Sequence, residues 1–394
     1  MCMKRHFSLV VMALMLCLCF LVLSPVQLLN NIEDGFLADY EDVEIANKNH
    51  TFGRLVTTKL NETEKGVSGQ RSEKGEVVFK LFGFIPIKKV AVKLANNDDF
   101  YVGGVPIGLE INADGAIVVN RQSKDVAEKL KDGDIITEVD GVKVDSLDTL
   151  SEVVQNASDE VEVKFLRKNK EIKTIIKTHK DDESGRLKLG IMVKDDVAGI
   201  GTLTFVNAKT HEYGALGHPI VDSNGENIVP ISGGDVYGCN LIGINKGKRN
   251  APGELRCVFS SHTEKKGDIQ KNDKFGISGV LSDYSGLVDE NLTAKLGGRL
   301  GVTMGKAKIV SSISGIREEY DIEIIKAKYQ KNADDKSLVF RVKDKRLIEL
   351  TGGIVQGMSG SPIMQNGKII GAVTHVFMSD PTKGYGVYVD WMLR

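Results

Sequence analysis

From residue 187 to the C-terminus the chain is written in short apolar segments punctuated by Gly, Asn and Asp, and that pattern points to β-structure. RLKLGIMVKD (186–195), GIGTLTFVNAKTHEYGALGHPI (199–220) and KSLVFRVKD (336–344) fit strands with turns at short intervals. Helical periodicity is scarce until the terminal WML (391–393). The 42 glycines against 8 prolines fit many strands and turns. A mostly β domain of this size is a barrel or a sandwich.

The N-terminus is of another kind. Lys4, Arg5 and His6 precede the uncharged run FSLVVMALMLCLCFLVL (7–23), followed by Ser24 and Pro25. The run is long for a signal peptide and short for a comfortable span, and no small-x-small site follows it directly. Residues 1–26 are therefore expected to be a membrane anchor, uncleaved or slowly processed, with the remainder on the far side of the membrane. Residues 27–75 are polar and charge-mixed and are expected to form an extended linker. Residues 76–97 are expected to be short strands that lead into a folded unit. Three of the five cysteines (Cys2, Cys17, Cys19) lie in the leader; Cys239 and Cys257 remain, and both a disulfide and two free thiols stay open. With no CxxC and no HExxH, neither a metal site nor another cofactor is expected. The net charge of −1, from 52 basic and 53 acidic residues, gives no field for nucleic acid.

Residues 98–178 read as a compact block. LKDGDIITEVDGVKV (130–144) is a strand, an Asp140-Gly141 hairpin turn and a strand. DSLDTLSEVVQNA (145–157) is a helix, capped by Asp145 or Ser146, with Leu147, Leu150, Val153, Val154 and Ala157 on one face. VEVKFLRKNKEIKTIIKT (161–178) alternates as a hairpin. The block resembles a PDZ domain, most specifically in GDIITEVDG, although Glu128, Lys129 and Leu130 stand where that family has Ala-Gly-Leu. The resemblance implies that an extended peptide adds a strand at a sheet edge near Gly104, Gly108, Leu109 and Ile111, its carboxylate held by backbone amides. The alternative is that these residues only close a small barrel.

GIVQGMSGSPIMQNGKIIGAV (353–373) is where chemistry is expected. A serine hydroxyl attacks only when a base takes its proton and donors receive the oxyanion. In QGMSGSP a glycine two positions before Ser359 lets the amides of Gly357 and Ser359 point into one spot, and Gly360 leaves room for a substrate backbone. His218 ends the segment YGALGHPI among small residues and is the expected base; His375, on the strand after the serine hairpin, is the runner-up. The segment GMSGSPIMQNGKIIGAVTH resembles the nucleophile segment of chymotrypsin-like serine proteases, and the order His218 then Ser359 matches theirs. In the trypsin-like enzymes of that group the primary pocket's floor lies six residues before the nucleophile. Here that is Gly353, so Lys or Arg selection by that route is not expected.

Taken together, the leader, the PDZ-like block, GIGTLTF, YGALGHPI and TGGIVQGMSGSPIMQNGKIIGAVTHVFMSDPTKGYGV resemble the stage IV sporulation protein B (SpoIVB) family over about residues 80–394. That resemblance implies a chymotrypsin-like barrel domain at 187–394 and a serine endopeptidase that is exported into the space between the two forespore membranes. It implies self-cleavage in the N-terminal region and limited proteolysis of a membrane-associated regulator of an intramembrane protease, leading to sigma-factor processing. It also implies His218 as base, Ser359 as nucleophile and Asp344 as the acid or as a residue of the substrate pocket, with Lys345 where the family has proline. Asp235 and Asp268 are other candidates for the acid. The competing expectation is a non-catalytic exported PDZ protein that binds peptides as a scaffold.

Overall fold

The computed structural model describes residues 29–62, 74–95, 98–259, 264–330 and 332–393, together with positions 12 and 27. The expected anchor at 1–26 falls outside these residues except for position 12. Among the described residues no helix is long and apolar enough to cross a membrane.

Much of the stretch expected to be a linker is folded. Phe36–Ala38, Ile85–Leu94, Lys74–Leu81 and Val56–Glu62 form one four-stranded sheet in that spatial order. The helix Tyr40–Lys48 packs beside it, started by a capping box between Asp39 and Asp42. The sheet is hidden in the sequence because polar residues fill its outer face: VTTKLNE (56–62) buries Val56, Thr58 and Leu60 and exposes the residues between. The unit is clamped to the rest of the protein. Lys368 Nζ lies 2.6 Å from Asp39, 2.9 Å from Glu41 and 3.3 Å from Asp42. Burial and the neighbouring Asp39 charge push the Asp42 carboxyl up to about 7. Beside this clamp the buried pair Arg299–Asp390, at 2.7 Å, sits among the rings of Phe36, Tyr388 and Trp391.

The remainder holds two closed rings of antiparallel strands. The first runs Pro106–Arg121, Ile191–Asn207, Glu212–Ala215, Gly276–Leu281, Lys265–Asp273 and Ile231–Gly238, and returns to Pro106–Arg121. The second runs Gly305–Ser311, Glu318–Ala327, Leu338–Val342, Lys383–Tyr388, Lys368–Val376 and Pro362–Gln365, and returns to Gly305–Ser311. Each ring encloses its own apolar core, one around Leu109, Leu203 and Val236, the other around Ile309, Phe340 and Ile363.

The PDZ-like block keeps its local grammar. Asp140 and Gly141 both take positive φ (48° and 81°), as a two-residue hairpin turn demands. Ser146 caps the helix Leu147–Gln155, which buries Leu150 and Val154. Leu130 is fully buried at the end of the helix Lys124–Lys129.

The peptide edge is where expectation and structure part. Gly108, Leu109 and Ile111 pair with Ile200, Gly199 and Val197 on one side and with Tyr237, Val236 and Gly234 on the other. Both edges of the strand are filled by the chain itself, so these residues close a barrel and present no free edge. Gly104 is packed against the backbone of Val310.

Candidate active site

Two loops, one from each barrel, meet at a cleft of about 510 Å³. The first barrel sends Leu216, Gly217 and His218 out of the strand Glu212–Ala215, with positive φ at both Leu216 and Gly217. The second barrel supplies the turn 356–361. Gly357 (φ +92°) and Gly360 (φ +98°) sit in the left-handed region, which only glycine adopts without strain. A Cβ on Gly360 would lie 2.0 Å from the Thr202 carbonyl oxygen. The turn is braced by the first barrel: the Thr202 amide donates to the Ser359 carbonyl at 2.9 Å, Thr202 Oγ1 to the Gly357 carbonyl at 2.6 Å, and Thr204 Oγ1 to the Gly360 carbonyl at 2.7 Å.

Within the turn, the amides of Gln356, Met358, Gly360 and Ser361 each donate to a backbone carbonyl. Those of Gly357 and Ser359 have no such acceptor among the described residues. These are the two donors that an oxyanion hole at this serine would use.

His218, Ser359 and His375 all line the cleft. The His218 and His375 rings face each other with centroids 5.2 Å apart. His218 Nδ1 lies 2.9 Å from the Pro219 carbonyl oxygen. A carbonyl only accepts, so Nδ1 carries the proton and Nε2 keeps the lone pair a general base needs. Burial holds this imidazole below its ordinary value, opposed by the Pro219 bond. Burial, and then the His218 charge, bring His375 down to about 4. Asp335 lies 3.9 Å behind His375 and is pushed up to about 6 by burial and by Asp334.

The carboxylates singled out in the sequence lie elsewhere. Asp344 caps the helix Lys345–Thr351 through the Arg346 amide at 2.9 Å and is held below the usual carboxylate range by the Arg346 guanidinium. It is absent from the cleft lining, and the Pro219 carbonyl occupies the position on His218 Nδ1 that an orienting carboxylate would take. The family resemblance implied Asp344 as an orienting acid or a pocket residue; in the structure it is a helix cap. Asp235 and Asp268 share Lys265 across neighbouring strands, each at 2.7 Å, also outside the cleft lining. Cys239 and Cys257 are free thiols in contact; the hydrogen bond between them lowers Cys257 and, with burial, raises Cys239. Thr202, Thr204 and Asp335 were not singled out in the sequence. The threonines read there as ordinary β-strand residues, and their role exists only because the two barrels touch.

The SpoIVB peptidase S55 family model matches residues 185–393, more than half of the chain. The chain belongs to this family. It is thus a sporulation serine peptidase, and a PDZ domain model matches residues 92–178 ahead of the peptidase domain. Among solved structures it is similar to the PDZ domain of the SdrC-like protein from Listeria monocytogenes, at 26% identity over 20% of this chain and 87% of that chain, with a TM-score of 0.20. No curated protein matches the chain.

Proposed function

We propose that this SpoIVB-family chain is a chymotrypsin-like serine endopeptidase in which Ser359 is the nucleophile and His218 the general base. The observation that carries the reading is the meeting of an Nε2-basic His218 and Ser359 in one cleft, beside two amides free to hold an oxyanion. In the reaction Ser359 Oγ attacks the scissile carbonyl while His218 Nε2 takes the hydroxyl proton. The Gly357 and Ser359 amides hold the oxyanion, and His218 returns the proton to the leaving amine. Asp344 contributes by fixing the helix that runs into 352–357. Tethered by its leader and exported between the two forespore membranes, the enzyme cleaves itself in its N-terminal region. It then cuts a membrane-associated regulator of an intramembrane protease, leading to sigma-factor precursor processing.

The test is incubation of the full chain beside its Ser359→Ala and His218→Ala variants, with and without a fluorophosphonate probe. Labelling and N-terminal self-processing are expected in the parent alone. Identical fragment patterns in all three would remove self-cleavage by this serine, and equal labelling of parent and Ser359→Ala would remove Ser359 as the nucleophile.

A further inference from the structure

The cleft beside Ser359 also carries a statement about substrate. Its lining is mainly apolar, with Ile200, Leu216, Pro252, Val355, Val376 and Met378 beside the two imidazoles, and Gln356 and Thr374 add uncharged polar groups. Among the described residues no carboxylate, lysine or arginine lines it. Both histidines are held toward their neutral forms. Asp335, the carboxylate behind His375, is not part of the wall.

The rim is built rather than incidental. The Asn250 amide donates to the Met378 carbonyl at 2.7 Å and so ties the loop carrying Pro252 to the loop carrying Met378. Met378 is half exposed at this rim, a flexible apolar side chain able to follow the shape of what enters. Gly353, next to the lining residue Ile354 but not itself in the lining, takes φ +135°, and a Cβ there would lie 2.2 Å from the Pro381 carbonyl oxygen. The position six residues before the nucleophile is therefore closed to any side chain, including the carboxylate that would select a basic residue. A charged group entering this cleft loses its hydration and finds no counter-charge, whereas an apolar group gains by leaving water.

We propose that the cleft receives a large, uncharged apolar side chain of an extended polypeptide, at the residue whose carbonyl Ser359 attacks, with Met378 as a specificity-determining residue at its rim. This deepens the peptidase reading above and rests on it. The substrate class is then a protein segment cut after Leu-, Phe- or Met-like residues, and not after Lys, Arg, Asp or Glu.

The test uses peptidyl diphenyl phosphonates that differ only in the residue next to phosphorus: Leu, Phe, Lys or Glu. Reaction forms an Oγ–P bond at Ser359 and expels phenol, which leaves with the serine proton. A fluorophosphonate serves as the side-chain-independent reference on the same full-length protein. The Leu and Phe reagents are expected to label at least ~10-fold faster than the Lys and Glu reagents. The Met378→Glu variant is expected to raise the Lys-to-Leu rate ratio by ~10-fold or more. Fluorophosphonate labelling with equal rates for all four phosphonates, or with a preference for Lys or Glu, overturns the inference and leaves the peptidase reading standing. An unchanged ratio in Met378→Glu removes Met378 as a determinant. Failure of the fluorophosphonate on folded protein overturns the peptidase reading itself.

Discussion

Ser359 donates its hydroxyl hydrogen to the backbone carbonyl of Thr374 at 2.8 Å, one residue before His375. The proposed nucleophile thus rests on the strand of its own barrel, while Thr202 of the other barrel holds its carbonyl at 2.9 Å. In the proposed mechanism, attack requires the hydroxyl to leave the Thr374 oxygen for His218 Nε2. The turn that carries it is held by both barrels.

That fixing depends on Gly360. Gly360→Ala adds a Cβ 2.0 Å from the Thr202 carbonyl oxygen at a φ of +98°. The turn must shift, taking the Ser359 amide with it. Loss of an oxyanion donor lowers kcat by about 100- to 1000-fold in comparable enzymes, and a fall in this range is expected in phosphonate labelling or peptide turnover. Activity within threefold of the parent would show that the turn tolerates the shift.

Asp344 offers a contrast between capping and catalysis. Its side chain accepts from the Arg346 amide at 2.9 Å. Asp344→Asn keeps a capping oxygen, and Asp344→Ala removes it at a cost of about 1 kcal/mol. The expected result is a lowered denaturation midpoint for Ala and a near-parent midpoint for Asn, with the rate of fluorophosphonate labelling of Asn within tenfold of the parent. A thousandfold loss of labelling in a well-folded Asn variant would return Asp344 to the reacting groups.

The two half-buried imidazoles set the pH behaviour. The proposed base, His218, must be neutral to work and is held below its ordinary 6.5, so the acid limb of kcat/KM is expected to have its midpoint below pH 6.5. For stability the sign follows from His375, lowered to about 4. It binds fewer protons folded than unfolded between those values. Its contribution is therefore present above pH 6.5 and lost as pH falls toward 4. The groups facing it are His218, Lys336, Asp334 and Asp335. Urea midpoints across pH 4–7 should fall less steeply toward acid in His375→Gln than in the parent; equal slopes would exclude His375 as the source.

The buried ion pair beside the Lys368 clamp makes a stability prediction. Arg299 and Asp390 are both almost wholly buried. Asp390→Ala leaves the guanidinium unpaired among rings, at a cost of about 3–5 kcal/mol. A urea midpoint unchanged from the parent would mean that water reaches Arg299 and replaces its partner.

Local rules carried much of this protein. The Asp140-Gly141 turn, the Ser146 cap and the glycines around Ser359 are matters of φ, ψ and nearest neighbours, and they stand in the chain as written. The sequence by itself also determined the β class and the family. Only the tertiary structure decided which strands close which barrel. Pro106–Arg121 belongs to the PDZ-like block by sequence, yet its first half completes the first barrel, because both of its edges found partners more than seventy residues away. The place of Asp344 was likewise decided by the fold. The family resemblance implied Asp344 as the partner of His218, whereas Nδ1 meets the carbonyl of the next residue, Pro219, and Asp344 lies on a helix end. Side-chain type limits what a residue can do. Hydrogen bonds between distant segments decide what it does, and sequence spacing does not encode those distances.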